Sequence, residues 1–202
     1  MAIVSAQTKH IGILFFENVE ELDAVGPYEV LSSWTRSFPE DGWGVVTIAK
    51  GDDLIRCAKG LTVKADYTYD EMPALEVLVY PGGHGTRAHL EDEQQLEWVR
   101  RQRKQVSLMT SVCTGALVYA AAGLLLNRSA TTHWASLEKL RQLDPTIDVR
   151  EDVRFVDDGD LITSAGVSAG VDMALHLVHR LGGIERARQV RRGIQYDPEP
   201  PV

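Results

Sequence analysis

Val106 to Leu126 reads VSLMTSVCTGALVYAAAGLLL, and this stretch decides the fold. Its first five residues, Val106 to Thr110, have strand character. From Ala116 the run is apolar and rich in alanine, which predicts a buried helix reaching Leu126. Between them, Ser111-Val112-Cys113-Thr114-Gly115 puts a cysteine where strand must become helix. Such a turn is tight, and the residue at its apex is often strained with its side chain pushed outward. A sulfur there faces the amino end of the next helix. Unpaired N–H groups and the helix dipole at that end favour the thiolate, which is the nucleophilic form. A free cysteine is otherwise commonly a small buried hydrophobe. The small residues Thr114 and Gly115 favour the nucleophile.

Working outward, short apolar runs alternate with amphipathic ones. His10 to Phe16, Trp43 to Ala49 and Leu75 to Tyr80 read as strands of a buried parallel sheet. Ala24 to Ser37 is amphipathic, with Gly26-Pro27 predicted to interrupt its first turn. Asp52 to Tyr67 reads as a hairpin turning at Lys59-Gly60. Glu91 to Lys104 predicts a charged helix with Leu96 and Val99 inward. Ser129 to Thr132 predicts a short strand and Ala135 to Leu143 a surface helix. Ile147 to Val156 and Asp160 to Thr163 read as two strands joined at Asp158-Gly159. Ser168 is placed to cap a helix that buries Val171, Leu175, Val178 and Leu181 and ends at Gly182-Gly183. Ile184 to Arg192 reads as a last helix, before a Pro-rich tail from Asp197 to Val202. The pattern predicts an α/β fold of one domain over residues 1–202. Its form is a flavodoxin-like three-layer sandwich with a mostly parallel central sheet. Ligands in such sheets bind at the carboxyl ends of strands. Glu17 to Asp23, Pro81 to Gly85 and Ser111 to Gly115 all fall there.

Composition limits the partners. The chain has 202 residues, 44% hydrophobic and 25% charged, in the range of a soluble globular domain. A net charge of −8 argues against nucleic acid or an anionic membrane as the partner. No run reaches the roughly 18–20 apolar residues a membrane helix needs. The first residues lack a basic and then apolar leader, so no secretion signal is expected. Cys57 and Cys113 make no disulfide framework, which suits a cytoplasmic setting.

Cys113 needs a proton partner, and the chain offers His84, His89, His133 or the acids after the first strand. Glu20 and Glu21 suit a solvated helix start. Asp23 lies among Leu22, Ala24 and Val25, so it is the acid expected to turn inward, where burial keeps a carboxyl group protonated. Gly166-Val167-Ser168-Ala169-Gly170 matches the G-x-S-x-G elbow of serine hydrolases. The acid and histidine that follow, Asp172, His176 and His179, all fall on the helix the serine would start. That helix cannot fold them back onto its own first residue. His84 and His89 lack a metal-binding spacing, and no metal site is expected.

Several motifs together resemble the ThiJ/PfpI superfamily, within the class I glutamine amidotransferase-like fold. They are LFFENVEELDAVGPYEVL, VLVYPGG, SVCTGALVYAAAGLL, ATTHWASLEKL, LITSAGVSAGVDMAL and IQYDPEPP, which span nearly the whole chain. SVCTG, ATTHW and YDPEPP point to the branch containing isonitrile (isocyanide) hydratases. The resemblance implies Cys113 as nucleophile, Asp23 as its acidic partner and Thr114 as a hydroxyl setting the pair. It also implies Val167 as a backbone amide near the sulfur, Gly83 as an oxyanion-type N–H donor and His133 near the pocket. Relatives acting as peptidases carry His directly after the nucleophile, and Thr114 stands there in this chain. Relatives with glyoxalase activity usually carry Glu at the Asp23 position. The implied activity is a cofactor-independent lyase hydrating an isonitrile to a formamide, as a homodimer acting on a small molecule. A redox or small-molecule sensor, or a glyoxalase-type aldehyde hydratase, is the alternative. The same domain forms half of AraC-type regulators, and no helix-turn-helix is expected from these residues.

Overall fold

The computed structural model describes residues 8–198. In chain order the elements are β1 (Lys9–Leu14), α1 (Glu21–Ser37), β2 (Trp43–Ala49), β3 (Ile55–Arg56), β4 (Thr62–Val63) and β5 (Tyr67–Thr68). Then come β6 (Leu75–Tyr80), α2 (Thr86–His89), α3 (Glu93–Gln105), β7 (Leu108–Val112), α4 (Gly115–Ala121) and β8 (Ser129–Ala130). The last are α5 (Leu137–Leu143), β9 (Asp148–Val149), β10 (Phe155–Asp157), β11 (Leu161–Ser164), α6 (Ala169–Gly182) and α7 (Ile184–Gly193).

Seven strands form the central sheet in the order β10-β11-β7-β6-β1-β2-β5, and every pair is parallel except β10 with β11. Ile11, Ile13, Leu14, Leu78, Val79, Met109, Val112, Leu161 and Ile162 are shut off from water, as continuous apolar strands covered on both faces should be. Helices α1, α6 and α7 pack on one another, and α2 to α5 form a second group, which completes three layers. From β1 the chain steps outward to β2 and β5, then returns to lay β6 on the other side of β1. Such a reversal opens a crevice beyond the carboxyl ends of the strands. Here the four neighbouring strands β1, β6, β7 and β11 deliver the loops that meet in it.

Several predicted boundaries move for identifiable reasons. Helix α1 runs unbroken through Gly26-Pro27. A Cβ on Gly26 would lie 3.2 Å from Val171, and one on Gly170 would lie 3.3 Å from Pro27, so this pair is where α1 and α6 approach. Tertiary packing there overrides the local breaker. Helix α4 stops at Ala121 rather than Leu126, and Leu126 is exposed. Gly123, with φ 78°, ends it through bonds from Gly123 N to Ala120 O and from Leu124 N to Tyr119 O, both 2.9 Å. The strand predicted over Ile147 to Val156 is two, with Asp152 at φ 53° between them. β9 pairs with β8 outside the main sheet, and β10 pairs with β11 inside it. The predicted hairpin is confined to β3 and β4, while β5 joins the main sheet beside β2. Ser168 precedes α6 but its side chain makes no capping bond. Residues 1–7, where a leader was sought, and residues 199–202 of the predicted tail lie outside the described residues.

Candidate active site

Cys113 follows the last residue of β7 with φ 57°, a left-handed conformation rare for a residue with a Cβ. The surroundings hold it there. Its N–H donates to Ser164 O at 3.1 Å and Ala165 O at 3.2 Å, and its carbonyl accepts from Thr132 Oγ1 at 2.6 Å. The strained elbow expected from the sequence is present, and Thr132 of the ATTHW motif is one of its clamps. Long-range contacts of this kind are what make such a conformation persist.

Asp23 lies in the first turn of α1 and is fully buried. Its Oδ2 accepts from Gly82 N at 3.1 Å and its Oδ1 from Val167 N at 2.9 Å. Between these two amides the carboxyl group lies beside the Cys113 thiol, close enough for each to shift the other's proton affinity. Burial raises the Asp23 pKa to about 6, opposed by the two amides and the thiol. Burial also pushes the Cys113 thiol well above its usual range, and the Asp23 charge adds to this. The amide and hydroxyl of Thr114 oppose that rise without cancelling it. The expectation of a thiolate stabilised by the helix end is therefore corrected. Cys113 is only 7% exposed, and desolvation beside a carboxylate outweighs the dipole of a short helix. With Asp23 at about 6 and the thiol raised, the proton of the pair rests on sulfur around neutral pH, and the two groups titrate as a coupled pair.

Thr114 Oγ1 accepts from Gly83 N at 2.9 Å and lies 3.0 Å from Thr86 Oγ1. The Gly83 amide, expected as a free oxyanion-type donor, is thus already engaged. Gly83 itself has φ 123° and bridges to Val19, so the loop after β6 is stitched to the loop after β1. Gly82 is held to glycine by crowding. A Cβ there would sit 2.5 Å from Thr114 N and 2.8 Å from Asp23 Oδ2. Gly82→Ala is expected to cost about 1–3 kcal/mol, measured by urea unfolding, and to displace the carboxyl group from the sulfur.

A cavity of about 280 Å³ opens beside this pair, with Cys113, Thr114 and Val167 in its lining. His133 forms part of the wall, and its Nδ1 accepts from Ala135 N at 3.3 Å, which leaves Nε2 for a ligand. Glu20, His84 and Arg87 complete the rim. Glu20 and Glu21 are not the solvated helix start expected. Glu20 pairs with Lys59 Nζ, and Glu21 accepts from Lys59 N at 2.6 Å, so the β3–β4 turn closes over the start of α1. Cys113, Asp23, Thr114, Gly83, Val167 and His133, the residues that the resemblance implies for the site, lie in or directly against one cavity. Thr132 and Arg87 are not among the residues expected at the site, and Glu20, read as solvated, lines it.

The other sequence candidates lie elsewhere. Ser168 Oγ accepts from Arg154 Nη2 at 3.0 Å, and His176 pairs with Asp157 at 2.6 Å, so the G-x-S-x-G match builds no triad. Cys57 is buried and has its pKa raised by desolvation and by Glu21, Glu17 and Glu20. His89 bonds Tyr80 Oη at 2.6 Å and has its pKa lowered to about 4 by burial. Among the described residues no cluster of His, Cys, Asp and Glu could hold a metal ion.

The chain is 41% identical over 191 residues to isonitrile hydratase of Pseudomonas putida, across 95% of this chain and 80% of that protein. It is 25% identical over 187 residues to the HTH-type transcriptional regulator GbdR of Pseudomonas aeruginosa. That match covers 93% of this chain but only 50% of the regulator. Among solved structures, a THiJ/PfpI family protein from Pseudomonas syringae superposes with TM-score 0.86 at 31% identity, covering 96% of this chain and 78% of that one. Drosophila melanogaster DJ-1beta shares the fold, with TM-score 0.80 over 95% of this chain and 100% of that one. The model described as DJ-1/PfpI family matches residues 9–180. A match of that span, on a fold and sequence this similar, means that the chain belongs to the DJ-1/PfpI family.

Proposed function

We propose that the protein hydrates an isonitrile, R–N≡C, to the formamide R–NH–CHO through a thioimidate on Cys113. One observation carries this reading. A buried cysteine and a buried carboxyl group lie together against a small cavity, in a chain 41% identical to an isonitrile hydratase. The terminal carbon of an isonitrile must gain both a nucleophile and a proton, and the pair holds one of each. Sγ bonds that carbon while the pair's proton is delivered to it, giving R–N=CH–S-Cys113 and leaving Asp23 as carboxylate. Asp23 then takes a proton from water as its oxygen bonds the same carbon, and passes that proton to the nitrogen. In the resulting R–NH–CH(OH)–S adduct, the hydroxyl proton returns to the pair, the C=O forms and the C–S bond breaks. Formamide leaves and the starting protonation is restored. The reaction is redox-neutral, so a nucleophile and a proton carrier suffice. Thr114 holds the sulfur's hydrogen-bond environment, and Val167 N–H holds Asp23.

A redox sensor works best with an exposed, low-pKa thiol. Cys113 is neither, which favours turnover over sensing. A homodimer acting on a small molecule in a reducing cytoplasm fits two free cysteines and the apolar side chains Leu22 and Val25 exposed on α1. No helix among the described residues is long and apolar enough to cross a membrane.

The test is steady-state turnover of an aryl isonitrile, followed as formamide by absorbance, beside methylglyoxal and peroxide. Many turnovers of isonitrile alone are expected. A single equivalent of peroxide consumed, with no formamide, would favour the sensor. The pH profile follows from the pair. Below about 6 it takes up a second proton and loses its base, so kcat/KM falls as pH drops through that value.

A further inference from the structure

We propose that Arg154 is a positioning residue that locks the turn Ala165–Ser168 against both members of the Cys113–Asp23 pair. This turn touches each of them. Ala165 O accepts from Cys113 N at 3.2 Å, and Val167 N donates to Asp23 Oδ1 at 2.9 Å. Between these two residues Gly166 comes so close to the sulfur that a Cβ there would lie 3.3 Å from Sγ. Val167 is strained, with φ 56°, and the α6 cap residue Ser168 makes no capping bond of its own. The turn must therefore be held from outside.

Arg154, just before β10, grips it at both ends. Its carbonyl accepts from Ala165 N at 2.9 Å. Its Nη2 donates to Ser168 Oγ at 3.0 Å, and its Nε donates to Asp172 Oδ2 at 2.7 Å, one turn into α6. Tyr196 Oη donates to the other Asp172 oxygen, Oδ1, at 3.0 Å, so the segment after α7 steadies the anchor. The Arg154 side chain is about half exposed, and an exposed ion pair adds little to global stability. Its effect is local, on where the Val167 amide points. The other ionisable groups around the pair are Glu20 before α1, Lys59 in the β3–β4 turn over it, and His84, Arg87 and His133 lining the cavity. None of them contacts Arg154, and none is altered by the variants below.

The test reads the pair directly and does not depend on which substrate it serves. Cys113 is alkylated with iodoacetamide across pH, and the modified peptide is quantified by mass spectrometry so that Cys57 does not contribute. The wild-type rate is expected to fall as pH drops through about 6. In Arg154→Ala the Val167 donor is loosened, so the carboxylate is less favoured and this limb moves upward by about half a unit or more. Arg154→Lys retains the backbone contact and one donor, and lies between. If Arg154→Ala does not fold, Asp172→Ala decides, because it removes the acceptor on α6 and leaves Arg154 in place. A shifted limb supports the positioning role. An unshifted limb in a folded variant overturns it. A protein with the shift but no isonitrile turnover keeps this inference and sinks the proposed reaction, so the two failures are distinguishable.

Discussion

Cys113→Ala is expected to abolish formamide formation, a loss of roughly 10⁴-fold or more, while the protein still folds. The loss is large because the sulfur forms the only bond between protein and substrate in the proposed sequence. Nothing else on the cavity floor can replace it. Thr114 Oγ1 is engaged with Gly83, and Asp23 has both oxygens in hydrogen bonds. Folding survives because alanine fits the φ 57° elbow as well as cysteine does, and the clamps on that elbow are to its backbone. The comparison is made by turnover of an aryl isonitrile alongside thermal unfolding of both proteins. Residual turnover within tenfold of wild type would remove Cys113 from the mechanism.

Asp23→Asn is expected to lower kcat/KM by about 10²–10⁴-fold and to erase the acid limb near pH 6. Asparagine keeps the shape but cannot accept, carry and return a proton at each of three steps. It also disturbs the hydrogen bonding. Gly82 N and Val167 N each need an acceptor, and a side-chain amide offers one oxygen where the carboxylate offers two. One N–H would then face an NH₂ group. Both effects point the same way for activity, and the pH profile separates them. A purely structural role would lower the rate and leave the limb in place.

Much of this was legible in the residues. Trp43 to Ala49 and Leu75 to Tyr80 are strands at their predicted bounds, because a doubly covered strand is a continuous apolar run with few alternative readings. Asp23 was legible from its apolar neighbours, and the elbow from a cysteine followed by small residues between strand and helix. What was not legible depends on contacts between distant segments. Gly26-Pro27 looks like a break until Gly170 and Val171 of α6 lie against it. Glu20 looks solvated until the β3–β4 turn brings Lys59 over it. Thr132 and Arg154 carry no local signal, because their partners are the backbone of Cys113 and the turn before α6. The resting protonation of the cysteine differs from the sequence reading for the same reason. A helix end is visible in sequence, but the burial that outweighs it is not.

The covalent step is tested most directly by a single-turnover quench. Protein in excess is mixed with an aryl isonitrile, stopped in acid at successive times, and the Cys113 peptide is weighed by mass spectrometry. The account predicts a transient gain equal to the whole isonitrile, on Cys113, that decays as formamide accumulates. Formamide accumulating while Cys113 stays unmodified at every time would contradict it.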